Sequence, residues 1–297
     1  MNRINKTQSI LIIALIYSVA IAVGYVISYF TIHDDLMTQL FVADVIAAFI
    51  VYIFTLVFKN TSIYDPYWSL TPWVLMILGI VQVRNFSIPI IILFGAFSFW
   101  SWRLTINWAI TFKDIHTEDW RYSKYRGEPA PLFHIVNFLG FQYMPTFLVY
   151  AALTPFVQLV AYGSNYWAIL GASFIVLGTT IEFIADHQMH HFLKTTVEKK
   201  TCREGLWAFS RHPNYLGEIT IWFGLALTHI IQYPTLWYND IGIFFVFALF
   251  WFISIPMMEK RQLSRRKDYE NYIKTTSRLF ILPNKHVEQN KTEFEEE

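Results

Sequence analysis

Eight apolar runs, most of them about 20 residues long, dominate this chain. They fall at about 9–31, 39–58, 70–83, 87–110, 136–162, 166–185, 215–232 and 241–258. As a helix, such a run matches the thickness of a bilayer core, and it is about twice the length a membrane strand needs. In lipid every backbone N–H and C=O must be bonded within a helix or a closed barrel. The pattern therefore predicts an all-α, polytopic integral membrane protein of about eight transmembrane helices. Segment 70–83 is short, with Trp73 at an interface position, so it reads either as a full span or as a re-entrant segment. Segment 9–31 is too long for a signal-peptide core and no small-x-small site closes it, so it reads as a true span.

Composition agrees with that reading. Of the 297 residues, 55% are hydrophobic and only 15% charged, whereas soluble domains carry roughly 25% charge. With 12 Gly, 11 Pro and one Cys, collagen, low-complexity and disulfide scaffolds are excluded. A net charge of +1 gives no bulk field to attract nucleic acid, so no nucleic-acid partner is expected. No obligate protein partner is evident either.

Charge orients the bundle. With the N-terminus placed in the cytoplasm, all of the 23 Lys and Arg except Arg84 and Arg103 fall on the cytoplasmic side. This bias predicts both termini inside. The outer connections are short, while the inner ones at 111–135, 186–214 and 259–297 carry most of the ionisable side chains. A polar ligand is thus expected to enter from the cytosol, and a lipidic one from the bilayer. The stretch 284–297, with Glu293, Glu295, Glu296 and Glu297, reads as a disordered acidic tail.

Three stretches concentrate chemistry. The first is Gly205-Leu206-Trp207, followed by Arg211-His212-Pro213-Asn214-Tyr215-Leu216-Gly217-Glu218, where an inner loop becomes the seventh span. Arg211 offers a forked donor suited to phosphate. Asn214 both donates and accepts, as recognition of an amide or ribose requires. Gly217 allows close backbone approach. Glu218 lies one turn beyond Asn214 on the same helix face. An ionisable residue inside a span is costly, so Glu218 is expected to face a polar cavity.

The second stretch closes the sixth span, where Glu182, Asp186 and His190 share a helical face. Its acids suit a cationic or hydroxyl-bearing partner, or else a solvated helix end. The neighbouring His187, His190 and His191 suggest iron, but the other histidines stand singly, so the ligand count is short and no metal is expected. The third stretch, from Glu259 to Pro283, places Arg261, Tyr269 and Tyr272 where they can either contact a phosphate-bearing ligand or anchor on anionic lipid.

Upstream, Arg103 is an intramembrane cation. Glu118-Asp119-Trp120-Arg121-Tyr122 can hold a phosphate or cap the bundle. In Tyr64-Asp65-Pro66-Tyr67-Trp68, Asp65 and Tyr67 form a pair able to donate hydrogen bonds to a carbonyl, unless Asp65 simply caps a helix.

The run from Arg211 to Glu218 resembles the steroid 5α-reductase and sterol-reductase superfamily. The chain is more similar still to bacterial membrane proteins of a steroid 5α-reductase-like family of unknown function. They share the Asp65-Pro66-Tyr67-Trp68, Asp119-Trp120-Arg121-Tyr122, Asp186-His187-Gln188 and Glu259-Lys260-Arg261 pieces. The resemblance spans about Asp65 to Pro283, which makes 59–283 the catalytic domain behind N-terminal helices at 1–58. It implies an NADPH-dependent oxidoreductase that reduces a carbon–carbon double bond conjugated to a carbonyl, in a steroid-like or other lipid substrate, in the bacterial cytoplasmic membrane.

Asp65, in another register, stands in for the superfamily's enone-binding glutamate and Tyr64 or Tyr67 for its tyrosine, with Asp65 and Tyr67 the catalytic pair expected here; by the resemblance Asn214 and Glu218 hold the nicotinamide. Asp186 and Arg103 lie near the cofactor, which Arg121, Tyr122, Arg211, His212 and Tyr215 also contact. Arg261, Tyr269 and Tyr272 close over the adenosine diphosphate. One departure stands out: with Arg103 aligned, the superfamily's enone-binding tyrosine becomes Trp100. The alternative class is the isoprenylcysteine and phospholipid methyltransferases, which also carry Arg-His-Pro-x-Tyr-x-Gly and a following Glu and use S-adenosylmethionine. A non-enzymatic lipid-binding or transport protein is the third reading, although the broken paired spans of transporters are not evident.

Overall fold

The computed structural model describes residues 4–33, 35–196 and 200–284. The acidic tail expected at 284–297 lies, beyond its first residue, outside the described residues. The architecture is all-α. Seven segments are long and apolar enough to cross a membrane: Lys6–Thr31, Leu36–Val57, Thr61–Val83, Ile88–Thr111, Ala130–Tyr162, Ala168–Thr195 and Pro234–Leu263.

Their helices are α1 (Lys6–Thr31), α2 (Leu36–Val57), α3 (Tyr67–Val83) and α4 (Ile88–Thr111), then the short α5 (Trp120–Ser123) and α6 (Ala130–Ile135). A π-helical stretch, Val136–Tyr143, joins α6 to α7 (Met144–Tyr162). Next come α8 (Ala168–Thr195), α9 (Pro213–Gln232) and α10 (Gly242–Ala248). A second π stretch, Leu249–Ser254, leads into α11 (Ile255–Leu263), and α12 (Tyr269–Thr275) closes the order.

The expected short third segment is lengthened by a 3-10 turn at Thr61–Tyr64 that leads into α3, so the span covers 23 residues. The expected seventh span is the helix α9, but it is not among the seven segments apolar enough to cross. Asn214, Glu218, Thr228, His229 and Gln232 dilute its apolar character. The helix of the sixth span, α8, runs past the expected span end at 185 to Thr195, so Glu182, Asp186 and His190 are all helical, as their shared face requires.

α1 shows how lipid shapes these helices. Its exposed stripe includes Leu11, Leu15, Val19, Val23 and Phe30, while Ile13 and Ile16 are buried together with Ser9, Tyr17, Ala20, Gly24 and Ser28. Small and weakly polar residues face inward because lipid tails solvate large apolar side chains as well as a protein core does. Gly24 meets the backbone of Ala43 on α2, an approach that a Cβ would block. An Asn5–Gln8 capping box starts α1.

The chain forms two compact units. The first comprises Met1–Val176 with Trp222–Val246, and the second Leu177–Ile221 with Phe247–Glu297. In the second unit α8 and α9 touch at Gly178 and Gly217, where a Cβ on either would fall 2.5 Å from the carbonyl oxygen of the other. Close backbone approach at Gly217, expected for a ligand, thus serves helix packing.

Candidate functional site

In the second unit the loop before α9 is held from below by α8. Gly205 takes a left-handed φ of 56° against the Gln188 amide, and Leu206 N–H donates to Gln188 Oε1 at 2.9 Å. Trp207 Nε1 donates to the Ala185 carbonyl at 2.9 Å. From the other side, Tyr272 donates to the carbonyls of Trp207 (2.5 Å) and Ser210 (3.1 Å). Arg211 N–H donates to Ser277 O at 2.9 Å, and Ser210 Oγ to Leu279 O at 2.7 Å. The sequence from Gly205 to Ser210 is therefore a scaffold that presents Arg211 and His212 at the start of α9.

Both side chains are buried. Glu259 of α11 lies 3.2 Å from Arg211 Nη1 and 3.3 Å from His212 Nε2. The His212 ring stacks on Tyr215 at 5.4 Å, and Tyr215 packs on Phe250 at 4.7 Å. Arg278 acts on the same His212 and Glu259 charges. Its guanidinium lies 4.5 Å over the Trp251 ring and donates to Trp251 O at 3.1 Å. Burial pushes the His212 imidazole below its ordinary value; Glu259 opposes this, and Arg211 and Arg278 add to it.

Glu259 thus contacts Arg211 and His212, and the Arg278 charge acts on it as well. Hydrogen-bonding capacity is left over: among the described residues Arg211 Nε and Arg278 Nε are buried without a hydrogen-bond partner, and Arg211 Nη1 has only its charge contact with Glu259. Buried donors are almost always satisfied, and a buried guanidinium with free N–H groups is suited to an incoming anion. This is the feature of the chain best fitted to a phosphate-bearing ligand.

The other expected residues of this unit lie on α8, α9, α11 and α12. Asn214 is half-buried at the start of α9, and Glu218 is buried one turn further on. Asp186 is half-buried on α8, and Arg261 half-buried on α11. Tyr269 and Tyr272 are neighbours with rings 5.5 Å apart. Burial raises both phenols above their ordinary range, so they act as neutral donors. The Tyr272 hydroxyl is engaged by the backbone, which makes this residue a support of the loop.

In the first unit Asp65 and Tyr67 do not meet through their functional groups. Asp65 accepts from Tyr122 Oη at 2.5 Å and Arg121 Nη2 at 3.3 Å, and Arg121 Nε also donates to Asp119 at 2.8 Å. Burial raises the Tyr122 phenol, and the adjacent Asp65 raises it further. The strand of loop that carries Arg121 is stitched to the turn before α3: Asp119 N–H donates to Ser62 Oγ (2.7 Å) and Thr61 N–H to Glu118 (2.7 Å). Tyr67 instead donates to Asp44 Oδ1 at 2.7 Å and to the Asp44 carbonyl at 2.9 Å. Its ring stacks on Tyr64 at 4.9 Å. Arg103 is half-buried on α4, and Trp100 is fully buried against Phe97 and Trp222.

Sequence reasoning passed over three participants. Asp44 is a buried carboxyl in the middle of α2, and its signal was a single acid inside an otherwise apolar run. Glu259 was read only as part of a motif. Arg278, beside the apolar stretch Leu279-Phe280-Ile281-Leu282, gave no periodic signal. Among the described residues no group of three or more His, Cys, Asp and Glu side chains is arranged to hold a metal ion.

The fold and these clusters define an all-α polytopic membrane protein with a buried cationic cluster in its second unit. A family model described as "Protein of unknown function (DUF1295)" matches residues 51–276, and the chain belongs to this family. Asp44 and Arg278 fall just outside the matched region. Comparison with curated proteins and with solved structures gives no match.

Proposed function

We propose that this protein is an NADPH-dependent membrane reductase acting on a carbon–carbon double bond conjugated to a carbonyl in a lipid-soluble substrate. The observation that carries the reading is the buried Arg211 guanidinium with the half-buried Arg278 acting on the same groups, both with unfilled N–H donors that suit a multiply charged phosphate ligand. The family is related to steroid 5α-reductases, which agrees with it. S-adenosylmethionine, with one carboxylate and a cationic sulfonium, matches an excess of buried positive charge less well.

When bound, the cofactor supplies a hydride to the β-carbon of the enone. On this reading Arg211 and Arg278 hold its phosphates, and the neutral His212 ring, stacked on Tyr215, lines the same place without adding charge. Asn214 and Glu218, one turn apart on α9, hold the carboxamide end. Tyr272 and Gln188 keep the Arg211 loop in position. On this reading the cofactor end faces the cytoplasm, in keeping with the Lys and Arg distribution.

Thermal unfolding of the purified protein with NADPH, NADH and S-adenosylmethionine in parallel tests the proposal. A ligand at 100 times its dissociation constant adds about 2.7 kcal/mol to the folded state. A shift with NADPH is expected. A shift with S-adenosylmethionine alone would move the protein to the methyltransferase class.

A further inference from the structure

A second feature with unfilled hydrogen-bonding capacity lies in the first unit, in the π-helical stretch Val136–Tyr143. It carries Asn137 and Gln142, both with no exposed surface. In an α-helix residues five apart point about 140° away from each other. The wider π turn brings them to one face, and Gln142 Nε2 donates to Asn137 Oδ1 at 3.1 Å. Asn137 Oδ1 also accepts from Thr61 Oγ1 at 3.1 Å, and Gln142 Nε2 also donates to Thr55 Oγ1 at 3.2 Å.

What is left over is one donor and one acceptor. Asn137 Nδ2 and Gln142 Oε1 are buried and have no hydrogen-bond partner. Exchanging N and O in both amides would interchange the two roles and again leave one free donor and one free acceptor. The mismatch therefore belongs to the site and not to the orientation of either amide. The stretch lies within the span Ala130–Tyr162, where water is not freely at hand to compensate.

We propose that Asn137 and Gln142 form a binding site for one hydroxyl group. A hydroxyl donates to Gln142 Oε1 while its oxygen accepts from Asn137 Nδ2, which fills both vacant roles with a single atom pair. A carboxylate would face the amide oxygen with a like dipole, and an ammonium would face the amide N–H groups. A carbonyl fills only one of the two roles. The hydroxyl belongs either to a buried water or to a lipid alcohol, and the two share this chemistry.

Crystals of the full chain grown in a lipid phase, without and with dodecanol, separate the outcomes. Density within hydrogen-bonding distance of both Asn137 Nδ2 and Gln142 Oε1 is expected in at least one crystal. A compact peak unaltered by dodecanol identifies water; density that continues into an alkyl chain identifies a lipid alcohol. No density there in either crystal overturns the proposal. In solution, the alcohol case predicts that dodecanol raises the melting temperature more than dodecane does. An Asn137→Leu, Gln142→Leu double variant loses that difference. A difference kept in full by the double variant overturns the assignment of a lipid alcohol to this site. None of these readouts depends on reductase activity.

Discussion

Two charged clusters in this protein use the same residue types to opposite ends. Around Asp65, in the first unit, every charge has a partner: Tyr122 and Arg121 converge on the carboxylate, and Asp119 takes the remaining side of Arg121. Around Arg211, in the second unit, Glu259 faces both Arg211 and His212, and among the described residues Arg211 Nε and Arg278 Nε are buried with no hydrogen-bond partner. A filled network rigidifies a fold, whereas a buried network with unfilled donors lowers stability unless a ligand completes it. The first cluster is internally satisfied, whereas the second keeps buried donors of the kind that suit an anion.

Substitutions can break this contrast. The largest expected effect is on ligand affinity: Arg211→Met should weaken NADPH binding at least about 100-fold, since each hydrogen bond to a charged group contributes about 1.5–3 kcal/mol. The loss in folding stability should be smaller than the loss in binding free energy, because removing the unmet buried Arg211 donors offsets the loss of its contact with Glu259. Titration calorimetry and thermal melts on the same preparation read both quantities. Tyr122→Phe should do the reverse. It removes the 2.5 Å bond to Asp65 and should lower stability by about 1–3 kcal/mol while leaving NADPH affinity unchanged.

Gly217→Ala sharpens the comparison from the scaffold side. The added methyl meets the Gly178 carbonyl oxygen at 2.5 Å and the Glu182 side chain at 2.6 Å. Pushing α9 off α8 should cost about 1–3 kcal/mol and displace the Arg211 loop, so both melting temperature and NADPH affinity fall together. The smallest effect is a pH dependence. The folded-state His212 titrates below its ordinary value of 6.5, so the unfolded chain takes up its proton first as pH falls. The stability this neutral ring contributes is whole above about 6.5 and declines below it. Chemical-denaturation curves for His212→Gln should lose that decline relative to the wild type; an identical decline would show that other groups carry it.

Much of the fold was legible because lipid leaves few choices. Apolar runs of span length located every long helix to within a few residues at most ends. The exceptions have local causes: Pro213 starts α9 earlier than the apolar run, and α8 continues through Asp186–His191 because nothing there breaks a helix. The Arg211-His212 pair was legible as a site from its own residue types and its neighbours on α9. Its partners were not. Glu259 is 47 residues from His212, and Tyr122 is 57 from Asp65. No periodicity encodes such pairings, which arise only when loops fold back. Tyr67 illustrates the cost of reading locally: it stands two residues from Asp65, yet α3 turns its hydroxyl to Asp44 on α2.

The central claim is that the Arg211–Arg278 cluster takes the anionic part of a reduced dinucleotide. Calorimetric titration of NADPH into the full chain in lipid nanodiscs, wild type beside Arg211→Met, tests it most directly. The account predicts saturable binding to the wild type and at least about a 100-fold loss in the variant. Equal affinity in both proteins, or no binding to a folded wild type, would contradict it.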